Sequence, residues 1–316
     1  MVSEASVDAA RARSRGVGRR RGASRGPRPS WWFVAPALAF LAVLGVYPLY
    51  ELVRMSVSDV SAATLLSSWP FAGFDNFEDV IASPDFRATC VHTAEFAAIV
   101  IGVGLAGGLG AAVALRRRSR GDNFTIALMT LMWALPPIVS GTIWKFLLTG
   151  DGVINQIGVS LGLLSEPIQF LQDGQLPLLA VSFVAAWVAV PFVAISYRAA
   201  LLDVPEELYD AAALDGAGFT KQFRYVTLPH LRRTTLVVAI LLLIYSIRSF
   251  DFIFVLTNGG PGTASTTVPF LGYQLAFQNF AYDRGAAVAV LAMGLVLIIA
   301  IAYISAVRRE DRDARR

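Results

Sequence analysis

The sequence predicts an all-α polytopic membrane protein with six transmembrane helices. Three observations carry that expectation. The 316 residues are 55% hydrophobic and only 16% charged, and mean hydropathy is +0.58, which is too apolar for a soluble domain. Six apolar runs are long enough to cross about 30 Å of hydrocarbon. Lys and Arg gather in alternate connections between those runs, as a fixed membrane orientation requires.

The first run, Trp32 to Tyr50, is flanked by tryptophan and tyrosine, which suit the interfacial layer. The second, Thr93 to Leu115, contains Gly102, Gly104, Gly107, Gly108 and Gly110, where a neighbouring helix can approach closely. The third, Phe124 to Leu148, is interrupted by Pro136-Pro137. The fourth, Leu176 to Tyr197, contains Trp187 and Pro191. The fifth runs from Thr234 to Leu256 and the sixth from Gly285 to Val307. These divide the chain into a disordered basic tail over 1–30, a transmembrane domain over 31–307 and a short C-terminal tail over 308–316.

The first tail, with Arg11, Arg13, Arg15, Arg19, Arg20, Arg21, Arg25 and Arg28, has no apolar face. It reads as a disordered cytoplasmic segment that meets anionic lipid, rather than a nucleic-acid arm or a twin-arginine signal. The Arg116 to Arg120 turn, the Arg198 to Arg233 connection and the C-terminal end are also basic. The other connections carry Asp59, Asp75, Glu78, Asp79, Asp85, Asp151, Glu166 and Asp173. Both termini and the 201–233 loop are therefore expected on the cytoplasmic side.

That loop is the most informative stretch. Asp203 reads as an N-cap, Pro205 suits a first turn, and Glu206 stands at a capping-box position. Glu207 to Leu214 favour helix. Gly216 and Gly218 break it, and a second helical stretch, Phe219 to Val226, is expected to end before Pro229. Composition alone would also allow an ordinary amphipathic linker.

The spacing is more specific. Asp210-Ala211-Ala212, three residues, Gly216, nine residues, then Val226-Thr227-Leu228-Pro229 resembles the EAA loop of bacterial ABC importer permeases. Asp210 replaces the family's Glu and Val226 its Ile. The resemblance extends along the chain. Phe74-Asp75-Asn76-Phe77, Ser83-Pro84-Asp85-Phe86, Pro136, Trp144, Gly152 and Asn155 are similar to the sugar permeases. So are Ser249-Phe250-Asp251, Thr257-Asn258-Gly259-Gly260-Pro261, Thr266-Thr267 and Tyr282 to Ala287. A type I importer permease fold in the bacterial inner membrane is what the resemblance implies. It further implies that Glu207, Asp210, Ala211, Ala212, Asp215, Gly216, Leu228 and Pro229 couple the chain to an ATPase. Similarity to the maltose permeases implies substrate contacts at Ser140, Ala189, Phe192, Ser246 and Ser249. Trp187, inside its span, and Asp251 complete the candidate pathway. Each of these is also open to a plain helix-packing reading.

Arg248 and Asp251 sit at membrane depth, three residues apart. They read either as a helix-surface ion pair or as groups facing a cavity. The chain has no Gly-x-x-x-x-Gly-Lys-Ser/Thr phosphate loop, so ATP and Mg belong on partner ATPase subunits, and no enzyme site stands out. One cysteine and two histidines offer no zinc cluster. The expected assembly adds a second homologous permease, an ATPase dimer and an extracytoplasmic solute-binding protein. The substrate class is a sugar or oligosaccharide, with glycerol phosphate or another polyol as the alternative. An ion-driven secondary transporter is the rival of another class, with Asp251 as its single midplane carboxylate.

Overall fold

The computed structural model describes residues 31–115 and 121–313. The expectations for 1–30, for the Arg116 to Arg120 turn and for the last three residues lie outside them. The chain up to Tyr50 forms one unit and Glu51 to Arg316 another. The first unit and its continuation hold α1 (Trp31–Leu41), a wide helical turn (Ala42–Val46) and α2 (Tyr47–Ser56). Phe33–Ser56 is apolar enough to span.

In the second unit α3 (Asp75–Ala82) lies on the connection before α4 (Pro84–Ala114). α5 (Asp122–Ala134), α6 (Pro137–Leu148) and α7 (Val153–Ser160) follow. The long α8 (Leu176–Leu202) leads to α9 (Glu206–Leu214), α10 (Phe219–Gln222) and α11 (Leu228–Arg248). The chain closes with α12 (Asp251–Leu256), α13 (Val268–Tyr273) and α14 (Tyr282–Asp313). α4, α8, the Phe219–Arg248 rod and Tyr282–Ser305 each pass as a span by length and apolarity. The expected third span is broken. The chain turns by 97° between Asp122–Ala134 and Pro137–Ser160, because Leu135, extended at ψ 135°, precedes a proline that disfavours helical geometry there.

Three other expectations are corrected. Asp203 does not cap α9. It closes α8 at φ −83° and ψ −8°, and Pro205 is the residue before α9. Val204 precedes that proline, which restricts its backbone and ends the long helix just before it. Glu206 and Glu207 instead occupy the first turn of α9, where carboxylates favour the helix dipole. The helix from Phe219 does not stop before Pro229, but continues to Arg248. A π turn over Phe223–Thr227 makes this possible. The Leu228 N–H donates five residues back to the Phe223 carbonyl, so the register widens just where Pro229 has no N–H to give. The fifth span breaks before its expected end. Ser249 is extended at ψ 121°, and α12 starts afresh at Asp251.

The centre of the fold is α4 against α8, with α11 beside both. Val193, Tyr197, Leu201, Leu231, Val238 and Leu242 form one buried cluster there. A Cβ added at Gly108 would lie within 2.5 Å of Val193 Cβ and 3.0 Å from Ala194 N, whereas one at Gly110 would meet nothing within 4 Å. The glycine-rich face thus does admit a helix, but only on its Gly104–Gly108 side. Gly108→Leu should destabilise the purified protein by about 1–3 kcal/mol through overpacking, while Gly110→Leu should be near neutral. Thermal unfolding of both variants in one detergent tests the difference.

Candidate functional site: a coupling tip and an aromatic cavity

The first candidate region is the polar connection between α8 and α11. The end of α9 is a complete Schellman motif. Gly216 N–H donates to Ala213 O at 3.0 Å and Ala217 N–H to Ala212 O at 2.9 Å, with Gly216 at φ +75°. Below the tip, Tyr209 is buried and its hydroxyl lies 3.0 Å from Thr227 Oγ1. This contact clamps α9 to the π turn at the head of α11. Above it, Glu207, Asp210, Ala211 and Asp215 are exposed, and Ala212 is half-buried. Leu228 and Pro229 stand at the start of α11 instead, on the side of that helix that faces α4.

Apolar residues crown this polar segment. Leu214 is 90% exposed, Phe219 69% and Tyr225 71%, and the Phe219 ring stacks on Phe223 with centroids 6.4 Å apart. Exposed apolar side chains gathered into a patch on a polar surface suit a docking site for another protein. The sequence reading did not select Leu214 or Phe219. Their signal was an apolar residue on each side of the two-glycine turn.

The second region is a cavity of about 290 Å³ among α5, α6, α8 and α11. Ala189 and Phe192 line it, as expected for pathway residues, and it adds Trp133 and Tyr245. Trp133 stacks on Phe192 with centroids 5.8 Å apart and an interplanar angle of 23°. The Tyr245 hydroxyl is buried without a hydrogen-bond partner, an arrangement that costs free energy unless something fills it. Nearby in sequence to the break before α6, Ser140 Oγ is likewise buried and unpartnered. The other expected residues do not line the cavity. Ser246 is fully buried and its hydroxyl donates to Leu242 O at 2.8 Å, along its own helix. Trp187 packs edge-on against Trp144, centroids 5.3 Å apart. Ser249 lies in the break between α11 and α12, and Asp251 opens α12, half-buried.

Arg248 and Asp251 do not form an ion pair. Because Ser249 leaves helical geometry between them, they are not on one helix face. Arg248 is exposed and lines a groove beside α13 and α14. No metal-ligand cluster occurs among the described residues.

Long apolar helices, one span of them broken, with an exposed polar connection between two of them define a polytopic membrane protein. The chain belongs to the family described as the inner membrane component of binding-protein-dependent transport systems, which matches residues 104–312. It is 32% identical over 303 residues to the diacetylchitobiose uptake system permease protein of Streptomyces coelicolor, covering 93% of this chain and 92% of that protein. It is 31% identical over 283 residues to the trehalose/maltose transport system permease protein of Thermococcus litoralis, covering 89% and 93%. The fold is similar to that of a bacterial ABC transporter involved in the import of the acidic polysaccharide alginate. The TM-score is 0.74 at 21% identity, over 88% of this chain and 94% of that one. The chain is thus an ABC importer permease, a membrane transport component and not an enzyme.

If Arg248 and Asp251 act independently, Asp251→Asn and Arg248→Gln should add within about 0.5 kcal/mol in a double-mutant cycle. Thermal unfolding of the two single variants and the double variant measures this. Recovery of stability in the double variant would reveal a pair.

Proposed function

We propose that this chain is one of two homologous permease subunits of an ATP-driven importer for a sugar or oligosaccharide. The cavity carries the substrate reading. It offers two aromatic faces in contact and an unpartnered hydroxyl, and a sugar presents apolar ring faces and hydroxyl groups. The names of the similar permeases, for diacetylchitobiose and for trehalose and maltose, support the same class. Alternating access would expose this cavity to the extracytoplasmic binding protein and then to the cytoplasm. Ser140, Ser249 and Asp251 stand at helix breaks on the proposed route. In this reading Ala189 lines the cavity, while Trp187 and Ser246 pack behind its walls.

The proposed orientation puts both termini and residues 201–233 in the cytoplasm, as the Lys and Arg distribution favours. The basic 1–30 tail and the end beyond 308 then lie at the cytoplasmic surface, flanking the 31–307 transmembrane domain. The α9–α10 tip docks on an ATPase subunit, which holds the ATP and Mg. Glu207, Asp210 and Asp215 supply charge to that interface, and Leu214 and Phe219 the apolar anchors. Ala211 and Ala212 permit close approach. Tyr209 and Thr227 pass the motion of the tip to α11, whose first residues include Leu228 and Pro229.

Gly216→Pro should leave the spans inserted but disrupt the tip, because proline cannot adopt φ +75°. Leu214→Asp, at an exposed position, should keep the unfolding temperature. Both should weaken capture of the ATPase from detergent by roughly tenfold or more, the scale of an interface anchor. Ala212→Trp should act in the same direction by steric exclusion. Wild-type capture by all three would remove the coupling role.

Tyr245→Phe separates substrate contact from packing. If the hydroxyl serves a sugar, ATP-dependent uptake into proteoliposomes, measured with the cognate binding protein, should fall roughly tenfold with assembly intact. An unchanged uptake rate, with equal or greater stability, would mean that the hydroxyl is only an unsatisfied group.

A further inference from the structure

A second groove, of about 780 Å³, runs between α4 and the rod that contains α11. One wall is built from Arg224, Leu228, Arg232 and Leu236; Leu228, Arg232 and Leu236 are four apart on one face of α11, and Arg224 joins them from the π turn. The other wall is Gly102, Leu105, Ala106 and Leu109 of α4. The two helices run in opposite directions, so the arginines lie at the end of the groove nearest the coupling tip, and its remaining length is apolar. Between Arg232 and Ala239, which also lines the groove, the helix rises about 10 Å at 1.5 Å per residue.

Charge and shape together select the occupant. Arg224 and Arg232 are both exposed, and neither has an ion-pair partner among the described residues. They stand where an apolar span meets its polar connection, the depth of lipid headgroups. Tyr197, a buried core residue, closes the base of the groove, and its hydroxyl donates to Thr235 Oγ1 at 3.0 Å. The small side chains opposite leave the floor open. A Cβ added at Gly102 would meet nothing within 4 Å, so this glycine is not holding a helix in place.

We infer that this groove is a binding site for an anionic phospholipid, with the phosphate between Arg224 and Arg232 and one acyl chain along α4. A cationic head above an apolar trough matches a lipid rather than a sugar, which would need polar groups along the trough. A protein helix seated there would bury two unpaired guanidinium groups unless it brought carboxylates of its own. A bound lipid at this place would brace the π turn that links the coupling tip to α11. The inference requires only that this end of the bundle lies at a membrane surface, and it stands apart from the substrate and ATPase readings.

The test uses the full chain, extracted in mild detergent with whatever subunits accompany it. The protein is exchanged into micelles containing equal phosphatidylglycerol and phosphatidylcholine, and retained lipid is counted by native mass spectrometry. The readout is the adduct lost on substitution, because the Arg-rich N-terminal segment also attracts anionic lipid. Wild type should favour phosphatidylglycerol over phosphatidylcholine at this site by roughly tenfold, the scale expected for paired basic residues at a membrane surface. Arg224→Gln with Arg232→Gln should bring the ratio close to one. Gly102→Leu, with both arginines present, should remove the adduct by filling the trough. Unfolding temperature serves as the control for folding in each variant. An unchanged lipid ratio in the double arginine variant would overturn the inference. So would a wild-type protein with no adduct sensitive to Gly102→Leu, the result expected if another subunit fills the groove.

Discussion

The fold depends on how closely α4 can approach α8. In a bilayer, lipid is as apolar as leucine, so helices gain little from hiding side chains and associate through close fit. At Gly108 the α4 backbone comes so near Val193 and Ala194 that no Cβ fits. That contact fixes one side of α8, and α8 in turn contributes to both large buried clusters, Leu178, Val181, Val184, Ala185 and Val188 to one and Ala189, Val193, Tyr197 and Leu201 to the other. One cluster extends toward α12 and α13 through Val181, Val184 and Phe252. The other descends through Val193, Tyr197 and Leu201 to Leu231, at the base of the coupling segment. A single close helix pair therefore supports both the walls of the aromatic cavity and the platform under the α9–α10 tip.

Several of the candidate site residues lie where regular helices are interrupted. The break before α6 places Ser140 in its first turn, the break at Ser249 separates Arg248 from Asp251, and the π turn carries Thr227 to Tyr209. Each interruption frees backbone or side-chain polar groups that hydrocarbon cannot satisfy, so interruptions at membrane depth are tolerated only beside protein or a cavity. The turn after α12 shows the structural version of this rule. Asn258 N–H returns to Ile253 O at 2.8 Å, and Ser265 Oγ donates to Gly260 O at 2.8 Å, so the Gly259-Gly260-Pro261 segment is a packed helix exit. The Tyr245 hydroxyl is the opposite case, a buried polar atom with no partner supplied by its own chain.

The exposed regions divide by chemistry. The coupling tip joins apolar anchors to carboxylates, a combination suited to a protein surface. The groove between α4 and α11 joins an apolar trough to arginines, a combination suited to lipid. Both meet at the π turn, with Tyr225 exposed on it and Arg224 beside the groove. In the proposed readings the head of α11 is thus shared between a protein contact and a membrane contact.

The sequence by itself determined the all-α class, the number of apolar runs, their flanking charges and the helix break at Gly216. These follow from local quantities: hydropathy over about 20 residues, a Gly that must sit at positive φ, and a fixed spacing from Asp210 to Pro229. Tertiary structure decided the rest. Asp203 and Glu206 matched a capping pattern, but the reach of α8 and the position of Pro205 assigned them other roles. Pro229 read as a stop, yet a widened turn upstream absorbed its missing N–H. Arg248 and Asp251 were three residues apart, but one extended residue sent them to different surroundings. Trp133 and Tyr245 carried no signal of their own, because an aromatic residue in a span is ordinary until a second helix brings Phe192 against it. Periodicity states which side chains share a face of one helix. Which faces meet depends on where helices break and how closely they pack, and those are properties of the whole chain.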